Sequence, residues 1–212
     1  MEIYTAILPV KDGSNYLESA LKSIIDQSYP PHEIILVDDN SSDNTVEIAH
    51  SYGVRVIKNK GIGQAAALNT GIELCKSDLV SFLDHDDTWA KNKQEKQILA
   101  FNENQQLDYV TCQVINFENS GNQRNMGNSR VLGACTFSLN FLKTIGPFDE
   151  QLKHHASIEW WGRPGIPKAI SLDLKEPLYM RLIHDSNLTV KNKEDTRKSL
   201  LEAVRHSLKN KR

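Results

Sequence analysis

The chain is poor in cysteine, and the three it carries, Cys75, Cys112 and Cys135, are widely spaced. An odd number with no CxxC pair offers no disulfide framework and points to a reducing, cytoplasmic setting. The three thiols are expected as small buried apolar groups. Net charge is nearly absent: 25 Lys+Arg against 27 Asp+Glu leave −2 at pH 7. Without a basic field, general nucleic-acid binding is not expected. Long apolar runs are missing as well, and none approaches the length of about 20 residues that spans a bilayer. The N-terminus enters an apolar run at Ile3 with no basic leader or cleavage site, so a cytoplasmic protein is expected. The sequence shows no internal repeat and no clear linker. Its 212 residues, 39% hydrophobic and 25% charged, are ordinary for one globular domain with a real core.

What is present is a rhythm. Ile3 to Leu8 reads as a buried strand ended by Pro9. Asn15 and Glu18 have capping-box spacing, and Tyr16, Leu17, Ala20, Leu21, Ile24 and Ile25 follow at helical period. Glu33 to Val37 is the second strand, Asp43 to Tyr52 a short helix, and Val54 to Ile57 the third strand. This βαβαβ order implies a parallel sheet with right-handed crossovers. A helix over Gln64 to Leu74, a strand over Leu79 to Leu83 and a helix over Asn92 to Asn104 continue it. After that the pattern changes. Tyr109 to Ile115 alternates as a strand, and 116–130 reads as a long polar loop. Ala134 to Leu142 reads as a strand-to-helix passage and 151–167 as irregular. Two late strands are expected at Ala169 to Leu174 and Leu178 to Ile183. Lys193 to Lys209 reads as a C-terminal helix with Leu200, Leu201, Val204 and Leu208 on one face. Packing on its own domain is the default for such a helix. Peripheral contact with a membrane is the other use of its basic face.

Two acidic clusters directly follow apolar strands. Ile34 to Val37 leads into Asp38-Asp39-Asn40-Ser41-Ser42-Asp43, and Leu79 to Leu83 leads into Asp84-His85-Asp86-Asp87. Ligands of open α/β sheets bind at the carboxyl ends of the strands. Carboxylates crowded there repel one another unless a cation or a ligand's donors compensate them. Hard oxygen ligands suit Mg²⁺ or Mn²⁺ bridging substrate phosphates. In the first cluster a carboxylate can accept the ring N–H of uracil. The plainer reading of either cluster is a solvated turn with an Asp or Ser helix cap. Gly61-Ile62-Gly63-Gln64 resembles a glycine turn opening a helix, where backbone N–H groups favour phosphate. It lacks the third glycine of a dinucleotide fingerprint, and close backbone packing explains it equally well.

Together these residues resemble the family 2 inverting glycosyltransferases of the GT-A fold, over about residues 3–190. The resemblance rests on Pro9-Val10-x-x-Gly13-x-x-x-Tyr16-Leu17, Val37-Asp38-Asp39-x-Ser41-x-Asp43-x-Thr45 and Asn59-x-Gly61-x-x-x-Ala65-x-x-x-Asn69-x-Gly71. It continues through Asp84-x-Asp86-Asp87, Gly146-x-Phe148-Asp149-Glu150 and Tyr179-x-Arg181-x-x-His184-x-x-Asn187. It implies an α/β fold with a mostly parallel central sheet flanked by helices. It divides the chain into a GT-A domain at 1–190 (nucleotide-binding half 1–105, acceptor half 106–190) and a C-terminal helix at 191–212.

The resemblance also implies roles. Asp39 would read uracil, with Pro9 lining the base pocket and Gly61 and Asn69 among the nucleotide-sugar contacts. Asp84 would touch ribose or the metal. Asp86 would ligate Mn²⁺ or Mg²⁺, with His184 completing the shell. Glu159, in Ser157-Ile158-Glu159-Trp160-Trp161, would be the base, its pKa raised by the tryptophans; His154 and His155 are rivals. The implied reaction is metal-dependent transfer of one sugar, hexosyl in type, from a UDP-sugar to a hydroxyl of a glycan, a lipid-linked acceptor or a protein. Two departures stand out. Leu68 occupies a position where many relatives have arginine, and no Gln-x-x-Arg-Trp occurs, which removes processive polysaccharide synthases. Two other readings stay open: a sugar-phosphate nucleotidyltransferase, and a non-catalytic nucleotide-binding module of the same fold.

Overall fold

The computed structural model describes residues 2–118, 123–127, 131–152, 156–184 and 187, with the backbone alone at 124–127. The expected C-terminal helix, the boundary at 190, and His154 and His155 lie outside the described residues.

The chain opens with β1 (Tyr4–Val10), buried along its whole length, as a strand covered on both faces must be. Tyr4, Ala6, Leu8 and Val10 enter one core, and Ile7 enters the other. The two-residue period of a strand thus feeds two separate layers. After β1 come α1 (Leu17–Ile25), β2 (Glu33–Asp38), α2 (Thr45–Ser51), β3 (Arg55–Lys58), α3 (Gln64–Leu74) and β4 (Leu79–Phe82). β1 pairs in parallel with both β2 and β4, and β2 with β3. α1 buries Leu17, Ala20, Leu21 and Ile24, a single stripe at helical spacing.

The second half adds β5 (Thr88–Trp89), α4 (Lys93–Glu103), β6 (Tyr109–Glu118), β7 (Gln123–Gly127), β8 (Thr136–Ser138), α5 (Leu139–Ile145), α6 (Ala156–Trp161) and β9 (Ser171–Ile183). The sheet runs β3-β2-β1-β4-β8-β6-β9-β5, with β7 on β6. β8 is antiparallel to β4 and β6, and β5 is antiparallel to β9, while β6 and β9 are parallel. The α/β fold is therefore as expected, with its parallel character concentrated in β3, β2, β1 and β4. Apolar residues of α1, α2 and α4 pack on one face of the sheet. Those of α3, α5 and α6 pack on the other, where Phe82, Tyr109, Phe137, Phe141, Phe148, Trp160 and Trp161 form an aromatic cluster.

Several elements differ from the sequence reading. β1 does not stop at Pro9 but runs through it to Val10. The carbonyl of Val10 accepts from Asp39 on the β2 side, and that of Ile7 accepts from Leu83 on the β4 side. By alternation the nitrogen of Pro9 also faces β4, beyond the last paired residue Phe82. Its missing N–H therefore costs no ladder bond. The Asn15/Glu18 capping box does not form: Tyr16 is the cap residue without a side-chain bond, and Tyr16 and Leu17 both donate to the Gly13 carbonyl. The polar stretch after residue 115 is in part a hairpin, since β6 extends to Glu118 and β7 pairs back on it. α6 lies inside the stretch read as irregular, and a 3₁₀ turn at Ile166–Lys168 overlaps its end. The two late strands are one, with register shifts opposite Cys112 and Gln113. Leu68, at the position where arginine was noted as missing, is 3% exposed and belongs to the core.

Candidate active site

β2, β1 and β4 are adjacent and parallel, so their carboxyl ends share one edge of the sheet. Two strand spacings separate β2 from β4, about 10 Å, the scale of a nucleoside diphosphate. The loops after β1 and β2 are zipped together at this edge. Asp12 and Asn40 adopt positive φ of 49° and 59°. The Asp12 N–H donates to Ser41 Oγ at 3.0 Å, and the Ser42 N–H to Asp12 Oδ1 at 2.7 Å. The Gly13 N–H donates to Thr45 Oγ1 at 2.8 Å, and the Ser14 N–H to Asp43 Oδ2 at 3.0 Å. Burial is the largest single influence on Asp43 and opposes its charge, but hydrogen bonds from Thr45 and Ser14 together outweigh it and hold the pKa down at about 2. Asp38 accepts from the Ser41 N–H. Ser41, Ser42, Asp43 and Thr45 thus serve the loops themselves.

Asp39 remains at the strand end, 5% exposed. Its Oδ1 accepts from Asn59 Nδ2 at 2.8 Å and its Oδ2 from the Gly63 N–H at 2.9 Å. Asn59 also donates to the Gly63 carbonyl and accepts from the Gly61 N–H. The turn before α3 is therefore wrapped around one carboxylate and one amide. Gly63 has φ +88°, a conformation that favours glycine. A Cβ at Gly61 would lie 2.7 Å from Ala66 Cβ and 3.1 Å from Glu150 Oε2. Close packing is what the structure offers for Gly61.

The very next residue crosses to the second cluster. Gln64 Nε2 donates to Asp84 Oδ1 at 3.0 Å, so consecutive residues at the start of α3 hold Asp39 and Asp84. Burial first, and then the charge of Asp86, push the Asp84 pKa up to about 6. Asp86 Oδ2 lies 2.9 Å from His184 Nε2 and 2.9 Å from Asn187 Nδ2. The His184 ring packs on Tyr16, centroids 4.6 Å apart. Asp87 points inward and takes hydrogen bonds from the Tyr179 hydroxyl and the Leu182 N–H. Burial, followed by Asp84 and Asp86, raises its pKa well above the usual carboxylate range. Asp87 thereby locks β9 to the acidic turn and brings His184 to Asp86.

Two expected residues are occupied elsewhere. Asn69 accepts from the Phe148 N–H at 2.8 Å and donates to the Phe148 carbonyl at 2.9 Å and to Glu150 Oε1 at 2.8 Å. Its amide is a clamp on the 148–150 segment. Glu159 does not stand as an unpaired carboxylate beside tryptophans. It is 1% exposed, and its two oxygens accept from Arg163 Nε at 3.0 Å and Nη2 at 2.7 Å. Such bidentate pairing compensates burial and removes both oxygens from a reacting hydroxyl. Gln64, Asn59 and Tyr179 stood in the sequence motifs without a side-chain role.

Among the described residues, no group of three or more His, Cys, Asp or Glu surrounds one point. Asp86 and His184 supply an oxygen and a nitrogen, with Asp84 nearby. That partial set fits a Mg²⁺ or Mn²⁺ ion that draws its other ligands from water and phosphate.

Residues 5–162 match the glycosyl transferase family 2 description. An uncharacterized glycosyltransferase of Rickettsia typhi is 31% identical over 212 residues, covering 88% of this chain and 66% of that one. Three further Rickettsia glycosyltransferases are covered over only 35%, 19% and 18% of their lengths. In structure the chain is similar to Staphylococcus aureus TarS 1–349 in complex with UDP-GlcNAc, with TM-score 0.74 and 19% identity, over 96% of this chain and 66% of TarS 1–349. It is also similar to glucosyl-3-phosphoglycerate synthase of Mycobacterium tuberculosis in complex with Mn²⁺, UDP and glucosyl-3-phosphoglycerate. There the TM-score is 0.67 and identity 17%, over 97% of this chain and 80% of the synthase. The mixed sheet of nine strands among the described residues, layered by helices, has the GT-A fold. The chain belongs to glycosyl transferase family 2.

Proposed function

We propose that this chain carries a metal-dependent inverting glycosyltransferase that moves one sugar from a UDP-sugar to an acceptor hydroxyl. The observation that carries the reading is the junction at Gly63 and Gln64, which ties Asp39 to Asp84 at one sheet edge. Asp39 keeps lone pairs beside those used by Asn59 and Gly63, and its remaining acceptor capacity suits the uracil ring N–H. Pro9, at the end of β1, would line the base. Asp84 would meet the ribose, and Asp86 with His184 would hold Mn²⁺ or Mg²⁺. The ion, when bound, neutralises charge that develops on the departing diphosphate. The desolvated, mutually repelling Asp84 and Asp86 favour such a cation. Gly61 and Asn69 would act indirectly, by shaping the turn and the 148–150 segment beside the donor.

The similar structures bound to UDP-GlcNAc and to UDP with Mn²⁺ support this choice of donor class and metal. A glycan, a lipid-linked or a protein acceptor is consistent with the same edge. Three buried free thiols support a cytoplasmic setting, and no described helix is long and apolar enough to cross a membrane. The nucleotidyltransferase reading is weakened at the loop after β1. The Asp12 and Gly13 N–H groups, which would face a triphosphate, are taken by Ser41 and Thr45.

A panel of nucleotide sugars tests the proposal by thermal stabilisation and slow hydrolysis, with and without Mn²⁺. One UDP-sugar should raise Tm and be hydrolysed, and only with metal. Release of pyrophosphate from an NTP and a sugar phosphate would favour the nucleotidyltransferase instead. Tight UDP binding without any turnover would leave a binding module.

A further inference from the structure

The mechanism above leaves the acceptor proton without a home, because Glu159 is sealed against Arg163. We propose that Glu150 is the general base, and that Glu159 and Arg163 form the device that positions it. The inference rests on the glycosyl-transfer reading.

The segment Gly146–Glu150 directly follows α5 and is held from two sides. On one side Trp160 Nε1 donates to the Gly146 carbonyl at 3.0 Å, and Arg163 Nη1 donates to the carbonyls of Ile145 and Gly146 at 3.2 and 3.1 Å. Glu159 grips the same guanidinium and so sets its orientation. On the other side Asn69 of α3 holds both backbone groups of Phe148. Phe148 itself is 2% exposed and packs on Phe82 and Trp160. A segment fixed this way presents its last side chain in one place.

That side chain is Glu150, which is exposed. Its Oε1 is fixed by Asn69 at 2.8 Å, and its Oε2 lies 3.1 Å from where a Cβ of residue 61 would be. Any side chain at position 61 would crowd this carboxylate. Among the described residues no salt bridge involves Glu150. Its neighbours belong to the donor edge. Gly61 lies in the turn that wraps Asp39, and Asn69 is five residues along α3 from Gln64, the partner of Asp84. Five residues of helix span about 7.5 Å, a distance that a sugar extending from a diphosphate can bridge. Glu150 therefore has what a base needs: access, a fixed oxygen, and, among the described residues, no salt-bridged cation.

In the step, the acceptor hydroxyl gives its proton to the Glu150 carboxylate. Its oxygen forms the new bond to the anomeric carbon. The bond from that carbon to the diphosphate breaks on the opposite face, and its electron pair leaves on the β-phosphate oxygen of UDP. The proton later passes to solvent.

The test compares Glu150→Gln and Glu159→Gln with wild type, using UDP-glucose and UDP-GlcNAc with Mn²⁺ and water as acceptor. Glu150→Gln should keep Tm and UDP affinity within about twofold and lose about 100-fold or more in kcat. The acid limb of its pH–rate profile should disappear. Glu159→Gln should lower Tm and keep that acid limb, since it acts through position. Turnover by Glu150→Gln within threefold of wild type would overturn the assignment. So would loss of the acid limb in Glu159→Gln at unchanged Tm. Wild-type protein that turns over neither donor, nor any other UDP-sugar of the panel, sinks the glycosyl-transfer reading and the base with it; wild-type turnover alongside an active Glu150→Gln sinks the base alone.

Discussion

At the scale of single residues, each carboxylate along the sheet edge is sorted by what reaches it first. Asp38 and Asp43 are taken by neighbouring backbone N–H groups, and Asp87 by a tyrosine hydroxyl and a strand amide. Asp39, Asp84 and Asp86 keep acceptor capacity toward the edge. Asp86→Ala should therefore abolish transfer and remove the Mn²⁺-dependent rise in Tm. The fold should lose only about 1–2 kcal/mol, from the bonds to His184 and Asn187. An activity assay and a Mn²⁺ titration of Tm check this, and a variant that still responds to metal would overturn the role proposed for Asp86. These acids were legible in the sequence because each directly follows an apolar strand. The ion pair of Glu159 was not legible because its segment read as irregular. Once α6 is seen, Arg163 four residues on is the ordinary spacing of a helical ion pair.

At the scale of elements, α3 is the piece that assembles the edge, and its closeness to β1 is what sets it. A Cβ on Gly71 would lie 2.4 Å from Ile7 Cγ2. Ile7 is β-branched and fully buried in β1, so it has little room to turn aside. Gly71→Ala gains about 1 kcal/mol in helix propensity, but overpacking costs about 1–3 kcal/mol. A net fall in Tm is expected, with weaker UDP binding as the start of α3 shifts. A thermal melt with and without UDP checks both, and a stabilised variant would show that α3 can slide freely. Helices and parallel strands through residue 104 were readable from periodicity. Beyond it, the strand from Tyr109 and the strand-to-helix passage at Ala134 to Leu142 were readable, but β9 and β5 were not: a 13-residue strand whose pairing shifts register has no single period, and β5 is only two residues long. The capping-box pair failed because the Gly13 carbonyl receives the helix's first N–H groups.

At the scale of the whole molecule, stability and its pH dependence follow from what the two layers enclose. Lys93 is fully buried between α4 and the sheet. Its Nζ donates to Gln97 Oε1 at 2.8 Å and sits 4.5 Å from the centre of the Trp89 ring. Burial lowers its pKa to about 8, whereas an unfolded lysine titrates near about 10.4. Between these values the unfolded chain holds a proton that the folded one has released, so this residue's contribution makes stability rise with pH from about 8 to about 10. Lys93→Met should flatten that slope in urea melts at pH 7 to 10. Identical slopes in the two proteins would show that the ammonium is not desolvated.

The sequence by itself determined the alternation of strand and helix, the acids at the ends of β2 and β4, and the family resemblance, because these depend on local period and on neighbours along the chain. Tertiary structure alone decided which acids face the edge. It brought His184 to Asp86 across 98 residues, set Asn69 on Phe148 and Glu150, and closed Arg163 over Glu159. A side chain's partner is fixed by which groups the packed layers bring within hydrogen-bond reach.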